Sequence, residues 1–277
     1  MRKAIDFMKT HPLFTGAFAV ALSVASIKIL NPDARLFPMA LLRVLIIFAV
    51  SMCIYLISGT KAFEKCHTTT GFIMKWNVLV MILEIILGIS ALLMIFSGET
   101  PLVAEWPSRL AGAVVLFSTV GFVEELTFRV AISDAILYRF RNSKHVFVWI
   151  AVVSSLVFGG VHIIGANIFE SPLVFGTSML KLLSTAVTGL FWLILYWKTR
   201  NVFGIAIGHS IYDFITVGFS LLTSETAQVG GAETYAGGGV IAIGGYLAQI
   251  LFEVIPLIIL WKKVGKTIDF DEIRKTW

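Results

Sequence analysis

Charge is scarce in this chain. Only 14% of its 277 residues are Asp, Glu, Lys or Arg, against about 25% in soluble globular domains. With 57% hydrophobic residues and a mean hydropathy of +0.89, that scarcity excludes a water-soluble domain. Cysteine is almost as rare. Cys53 lies in an apolar run and Cys66 in a loop, which excludes a disulfide framework, and Cys66-His67 is half of a metal clip with no second half. Internal repeats, Pro-rich linkers and separate polar domains are also missing, so residues 1–277 read as a single integral membrane domain.

What the chain has instead is long apolar runs. A transmembrane helix needs about 20 such residues, and eight stretches qualify: 12–30, 36–58, 72–97, 107–131, 146–165, 172–197, 202–222 and 239–261. The expected fold is all-α, a polytopic bundle of about eight transmembrane helices. The first stretch, preceded by Arg2, Lys3 and Lys9, also has the shape of a cleaved signal peptide. Lys28 near its far end and the length of the run favour a retained span. The Gly-rich segment Gly230–Gly245 reads as a loop entering the last span, with glycines that permit close helix packing.

Loop charge sets the expected orientation. With the N-terminus inside, the inner segments hold Arg2, Lys3, Lys9, Lys61, Lys65, Arg139, Arg141, Lys144, Lys198, Arg200, Lys262, Lys263, Lys266, Arg274 and Lys275, and the outer loops hold only Arg35 and Arg109. Both termini are therefore expected in the cytoplasm of a multi-pass plasma-membrane protein. The net charge of +5 is a topology signal; no nucleic-acid partner is implied. Trp106, Trp197 and Trp261 fall at span ends, where indole rings settle at headgroup level.

Ionisable groups at membrane depth are expensive and mark functional sites by default. Three elements bring them here: Glu124-Glu125-x-x-x-Arg129, Phe158-x-x-x-His162 and His209-x-x-x-Asp213. Glu125 and Arg129, four apart on a helix, share a face and can pair, whereas Glu124 points about 100° away and stays available. Gly159-Gly160 before His162 permits a close backbone approach or a local break. A carboxylate one turn from His209 can fix its tautomer. Taken singly, each element is as consistent with a packed polar group or a helix-end charge. Lys28, Arg43, Lys75 and Lys181 read as snorkelling or paired cations and Glu84 and Glu253 as interior-facing partners, none with a catalytic role.

The order and spacing of the three elements resemble the CPBP family, the CAAX proteases and bacteriocin-processing enzymes also called the Abi family. The resemblance runs from Trp106 to Leu222, so 106–222 is the expected catalytic core. It implies an intramembrane endopeptidase acting on a membrane-bound or lipidated protein or a leader peptide within the lipid bilayer. Carried onto this chain, Glu124 and His162 would activate water, and His209 with Asp213 would stabilise the oxyanion. Two positions depart from the family pattern: Asp213, where relatives often carry Asn, and Val130, where they often carry Gly. An ionised Asp cannot donate to an oxyanion, so Asp213 is either protonated or orients His209. Cofactors stay open between none and zinc, which Glu124, His162 and His209 would hold with water in the fourth position. No His-x-x-x-His pair lies on one helix, which tips the balance slightly toward none.

Depth gives one more expectation. A fourth helix crossing vertically from Trp106 would put Glu124 about 27 Å in from one face, and His162 would lie about 24 Å from the other. In a core of about 30 Å they would not meet. The fourth helix is therefore expected to be long and tilted, from about 111 to 140. Two rival functions remain. A transporter would show internal repeats and matching Gly/Pro-broken spans, and none is seen. A non-catalytic membrane regulator or bacteriocin self-immunity protein would retain the motifs without cutting.

Overall fold

The computed structural model describes residues 2–28, 36–64, 68–223 and 240–276. Cys66-His67, Arg35, Lys65 and most of the Gly-rich segment lie outside the described residues. Among the described residues every regular element is helical: α1 Arg2–Thr10, α2 Pro12–Lys28, α3 Leu36–Ser58, α4 Thr70–Val80, α5 Ile82–Ser97, α6 Trp106–Glu124, α7 Ile132–Phe140, α8 Val146–Val161, α9 Pro172–Thr199, α10 Val202–Asp213, α11 Phe219–Thr223, α12 Val240–Lys263 and α13 Phe270–Thr276. Every apolar stretch is helical, as backbone groups must satisfy one another where water is absent.

The chain is an all-α polytopic membrane protein, but the count of eight full spans is not confirmed. Five helices are long and apolar enough to cross a bilayer, six if the bent α4–α5 pair is one span. The first and fifth stretches fall short. Val146–Val161 has 16 residues, about 24 Å of helix against a core of about 30 Å. Pro12–Ser26 is likewise apolar but short; its helix packs on α3 and α7, Gly16 lying against Ala135. The expected single span 72–97 is instead broken at Met81, with 77° between Thr70–Val80 and Ile82–Ser97. Neither Gly nor Pro marks this break, so the sequence carried no signal for it. Two bonds meet at the corner: the backbone Met81 N–H donates to the Asn77 backbone carbonyl at 3.1 Å, and the Asn77 side-chain amide reaches the Met81 sulfur at 3.1 Å.

The fourth span is continuous over Trp106–Phe140, 35 residues, or about 52 Å. Its middle is a π-helical segment, Glu125–Ala131, joining α6 to α7. A second π segment, Phe214–Gly218, follows Asp213 in the seventh span. Such segments insert an extra residue into the α-helical ladder and recur at functional sites. Here each begins directly after an acid of the motifs.

Local chemistry explains the ends of α9 and α10, which flank the centre. Ser171 caps α9, its hydroxyl accepting from Val174 N–H at 3.2 Å with Pro172 at the first helical position. Arg200 takes a left-handed conformation (φ 56) and stops the helix, and Asn201 caps α10 by accepting from Gly204 N–H at 2.8 Å.

Glycines set the close helix contacts, although Gly244 and Gly245 do not. A Cβ on Gly244 or Gly245 would meet nothing within 4 Å. By contrast, a Cβ on Gly121 of α6 would meet the Ala206 carbonyl of α10 at 2.6 Å and the Ser210 hydroxyl. A Cβ on Gly159 would strike the Leu182 carbonyl of α9, whereas Gly160 faces open space. Gly121→Val must push α6 and α10 apart. It is expected to cost about 1–3 kcal/mol of stability and, because those helices carry Glu124 and His209, to lower turnover at least about tenfold. Thermal unfolding in detergent alongside an activity assay reads both.

The tryptophans divide. Trp106 and Trp261 are exposed as expected at span ends, but Trp197 is buried, edge-on to Phe147 and Phe270 at 5.7 and 5.4 Å. Arg43, Glu84 and Glu253 are buried in the bundle.

Candidate active site

Glu124 is the last α-helical residue before the π segment and Glu125 the first residue within it, so the two carboxylates leave the same helix in different directions. Glu125, fully buried, faces Arg129: the guanidinium Nε lies 3.0 Å from Oε2. Arg129 is also fully buried and its guanidinium stacks on the Phe158 ring, 4.2 Å from the centroid, with Trp192 at 5.8 Å. Aromatic faces are attractive to a cation that water cannot reach.

The other carboxylate oxygen of Glu125 takes a second partner from far along the chain. His209 Nδ1–H donates to Glu125 Oε1 at 2.8 Å. The shorter of the two carboxylate contacts to the ring is therefore the one from Glu125, 84 residues away, rather than from Asp213 one turn on. Asp213 sits on the other side of the ring, its Oδ2 3.5 Å from Nε2. Arg129, Glu125 and His209 form a buried chain, a guanidinium holding a carboxylate that holds an imidazole.

His162 caps the end of α8, beyond Val161. Its Nδ1 lies 2.7 Å from the Phe158 carbonyl, which can only accept, so Nδ1 carries the hydrogen and Nε2 is turned inward. Both histidines thus use Nδ1 for support and aim Nε2 at one place. Glu124 Oε2 lies there, 4.0 Å from His162 Nε2 and 3.6 Å from His209 Nε2. These gaps are too long for direct hydrogen bonds. A water making bonds of about 2.8 Å to Glu124 and to either ring would subtend about 80–90°, an acceptable angle for water.

The hollow around these atoms has a volume of about 90 Å³, room for several waters. It is lined on one side by Glu124, His162, His209 and Asp213 and on the other by Lys181, Tyr212, Gln249 and Glu253. All six residues singled out in the sequence are brought to this region, with Glu125 and Arg129 forming its supporting layer. For zinc, ligands about 2.1 Å from a tetrahedral ion stand about 3.4 Å apart. Glu124 and His209 come close to that spacing and His162 is wider, and among the described residues no group of three or more such side chains is arranged to hold a metal ion.

Several contributors carried no catalytic signal in the sequence. Trp192 of α9 stacks on His209 with ring centroids 4.0 Å apart and 29° between planes. Its indole N–H donates to Asn77 Oδ1 at 2.8 Å, so the polar residue near the Met81 break also fixes the wall of the site. Beyond it lies a buried network: Tyr212 O–H bonds to Glu84 at 3.0 Å, and Gln249 reaches both Tyr212 and Glu253 at 3.1 Å. Asn77 in an otherwise apolar run was a usable hint; Trp192, one of seven tryptophans, was not.

Membrane-length helices folded round an internal hollow, with ionisable side chains buried at its wall, define a polytopic membrane protein with a polar centre inside its bundle. Residues 106–215 match the family model described as Rce1-like, the type II CAAX prenyl endopeptidase Rce1-like family. The match spans all three motifs and covers 110 of the 277 residues, so it is a similarity of this central segment to that family. No curated protein and no solved structure matches the chain.

Proposed function

We propose that the protein is an intramembrane endopeptidase that hydrolyses a peptide bond in a membrane-associated protein, with Glu124 as general base. The observation that carries this reading is the convergence of two imidazole Nε2 atoms on the Glu124 carboxylate, each ring held from behind through Nδ1.

In this reading a water sits between Glu124 and His162. Glu124 takes one of its protons as the oxygen attacks the scissile carbonyl. Negative charge develops on the carbonyl oxygen, and His209 Nε2–H donates to it. In that role the ring carries a proton on each nitrogen, one held by Glu125 and one offered to the oxyanion. Glu124 then returns its proton to the leaving amine as the C–N bond breaks, giving a free carboxyl and a free amino terminus. Glu125 and Arg129 are positioning residues, and Asp213 occupies Nε2 of His209 in the resting site. Zinc is not required by these steps; if bound, Glu124, His162 and His209 would hold it, and it would supply Lewis-acid polarisation of the water.

The substrate class proposed is a lipidated or membrane-bound protein or leader peptide, cut by an enzyme of the plasma membrane with both termini in the cytoplasm, as the loop charges favour. Proteomics of peptide termini in membrane fractions, comparing cells carrying the wild type with cells carrying Glu124→Ala at equal abundance, tests the reading. New termini specific to the wild type are expected. Identical termini together with unchanged cellular function would support the regulator instead. Metal analysis of the same purified proteins decides the zinc question.

A further inference from the structure

A second concavity lies away from the reaction centre, on the face formed by α8, α9 and α12, with α13 at its end. It has a volume of about 620 Å³, and it shares no lining residue with the catalytic hollow. Val148, Ala151, Leu190, Ile194 and Leu257 make its walls. From Leu190 to Trp197 it runs about 10 Å along α9, the length of several acyl-chain carbons.

The ends of the helices decide what it fits. The start of α8 and the ends of α9 and α12 meet at one side of the bundle, and there the rim carries three cations, Lys144, Lys262 and Arg274. Lys144 and Lys262 are exposed. Among the described residues Arg274 has one acidic neighbour within 4 Å, Asp271 at 3.8 Å, and its guanidinium Nε is buried without a hydrogen-bond partner. Beside it Trp197, 6% exposed, also holds an indole N–H with no partner. Phe270 packs against Phe147 and Trp197 at 4.6 and 5.4 Å and so ties the helix that carries Arg274 to the groove.

An apolar trough ending in three cations and two unpartnered donors is the complement of a molecule with hydrocarbon chains and one anionic headgroup. We propose that this groove is a binding site for an anionic phospholipid of the surrounding leaflet, acyl chain between α8, α9 and α12 and phosphate among Lys144, Lys262 and Arg274. A zwitterionic lipid has the same chains but offsets its phosphate with its own cation. The groove therefore selects by headgroup, at about fivefold per cation near an anionic surface. Bound lipid would brace the wall of α9 whose opposite side carries Trp192.

Native mass spectrometry of the full chain in detergent, with dioleoylphosphatidylglycerol or dioleoylphosphatidylcholine added, reads the selectivity directly. The wild type is expected to retain phosphatidylglycerol at least about tenfold more tightly than phosphatidylcholine. The variant Lys144→Gln/Lys262→Gln/Arg274→Gln should lose that preference, and Leu190→Trp, which fills the trough without touching the rim, should weaken both lipids. The milder pair Lys144→Gln/Lys262→Gln, at exposed positions, should reduce the preference partway. Equal retention of the two lipids by the wild type, an undiminished preference in the rim variants, or unchanged binding in Leu190→Trp would overturn the assignment. So would chain dimerisation through this face in place of lipid uptake.

Discussion

Glu124→Gln is expected to lower turnover of a cleaved substrate by about 10³- to 10⁴-fold while leaving the fold intact. The size follows from losing general base and proton return together, each of which contributes on the order of 10²-fold or more. Intact folding follows from geometry: Glu125 holds both Arg129 at 3.0 Å and His209 Nδ1 at 2.8 Å, whereas Glu124 Oε2 stands 3.6 and 4.0 Å from its two imidazoles. A glutamine there is isosteric, removes a buried acid and creates no unpaired ion. Single-turnover kinetics with the wild type and variant at matched thermal stability check this. A loss of less than about tenfold would remove Glu124 from the role of base.

Arg129→Leu is expected to behave in the opposite way, through stability first. Glu125 and Arg129 are both fully buried, and removing the guanidinium leaves a carboxylate in an apolar interior with only His209 beside it. Breaking one partner of such a pair costs about 3–5 kcal/mol, whereas replacing the pair by apolar residues of similar volume is close to neutral. The double variant Arg129→Leu/Glu125→Leu should therefore recover most of the lost stability and none of the lost activity, because His209 Nδ1 has then lost its acceptor. Denaturation in detergent and turnover, measured on the single and double variants, separate the two contributions. Activity returning along with stability would show that the chain from Arg129 to His209 merely holds the bundle together.

Much of the site could be read from spacing. A spacing of four places Glu125 and Arg129 on one face of a helix, and the ion pair is there. The longer fourth helix was legible as well, since the depths of Glu124 and His162 were incompatible with a short vertical one, and the helix does run on to Phe140. What spacing could not reveal was which carboxylate serves His209. The nearest in sequence, Asp213, is one turn away, but the one that holds Nδ1 is Glu125, 84 residues earlier. Tertiary approach of α6 and α10, allowed by Gly121, overrides local register.

The span count failed for a related reason. Hydropathy measures whether a segment tolerates lipid, not whether it is long enough to cross alone. Pro12–Ser26 and Val146–Val161 are apolar because other helices and lipid surround them, yet they are short. The break at Met81 lies in a run that is apolar apart from Lys75, Asn77, Glu84, Ser90 and Ser97; at the break Asn77 bonds to Met81 and to Trp192 at once.

The claim on which the mechanism rests is that Glu124, His162 and His209 serve one step as a unit, the first two on the attacking water and the third on the oxyanion. A double-mutant cycle on turnover addresses it directly, with Glu124→Gln and His209→Gln alone and combined, and His162→Gln as the third corner. Groups that serve a single step are grossly non-additive, so the combined variant should be no more than a few-fold slower than Glu124→Gln alone. Losses that multiply across the cycle would mean that these side chains work independently and do not serve a single step.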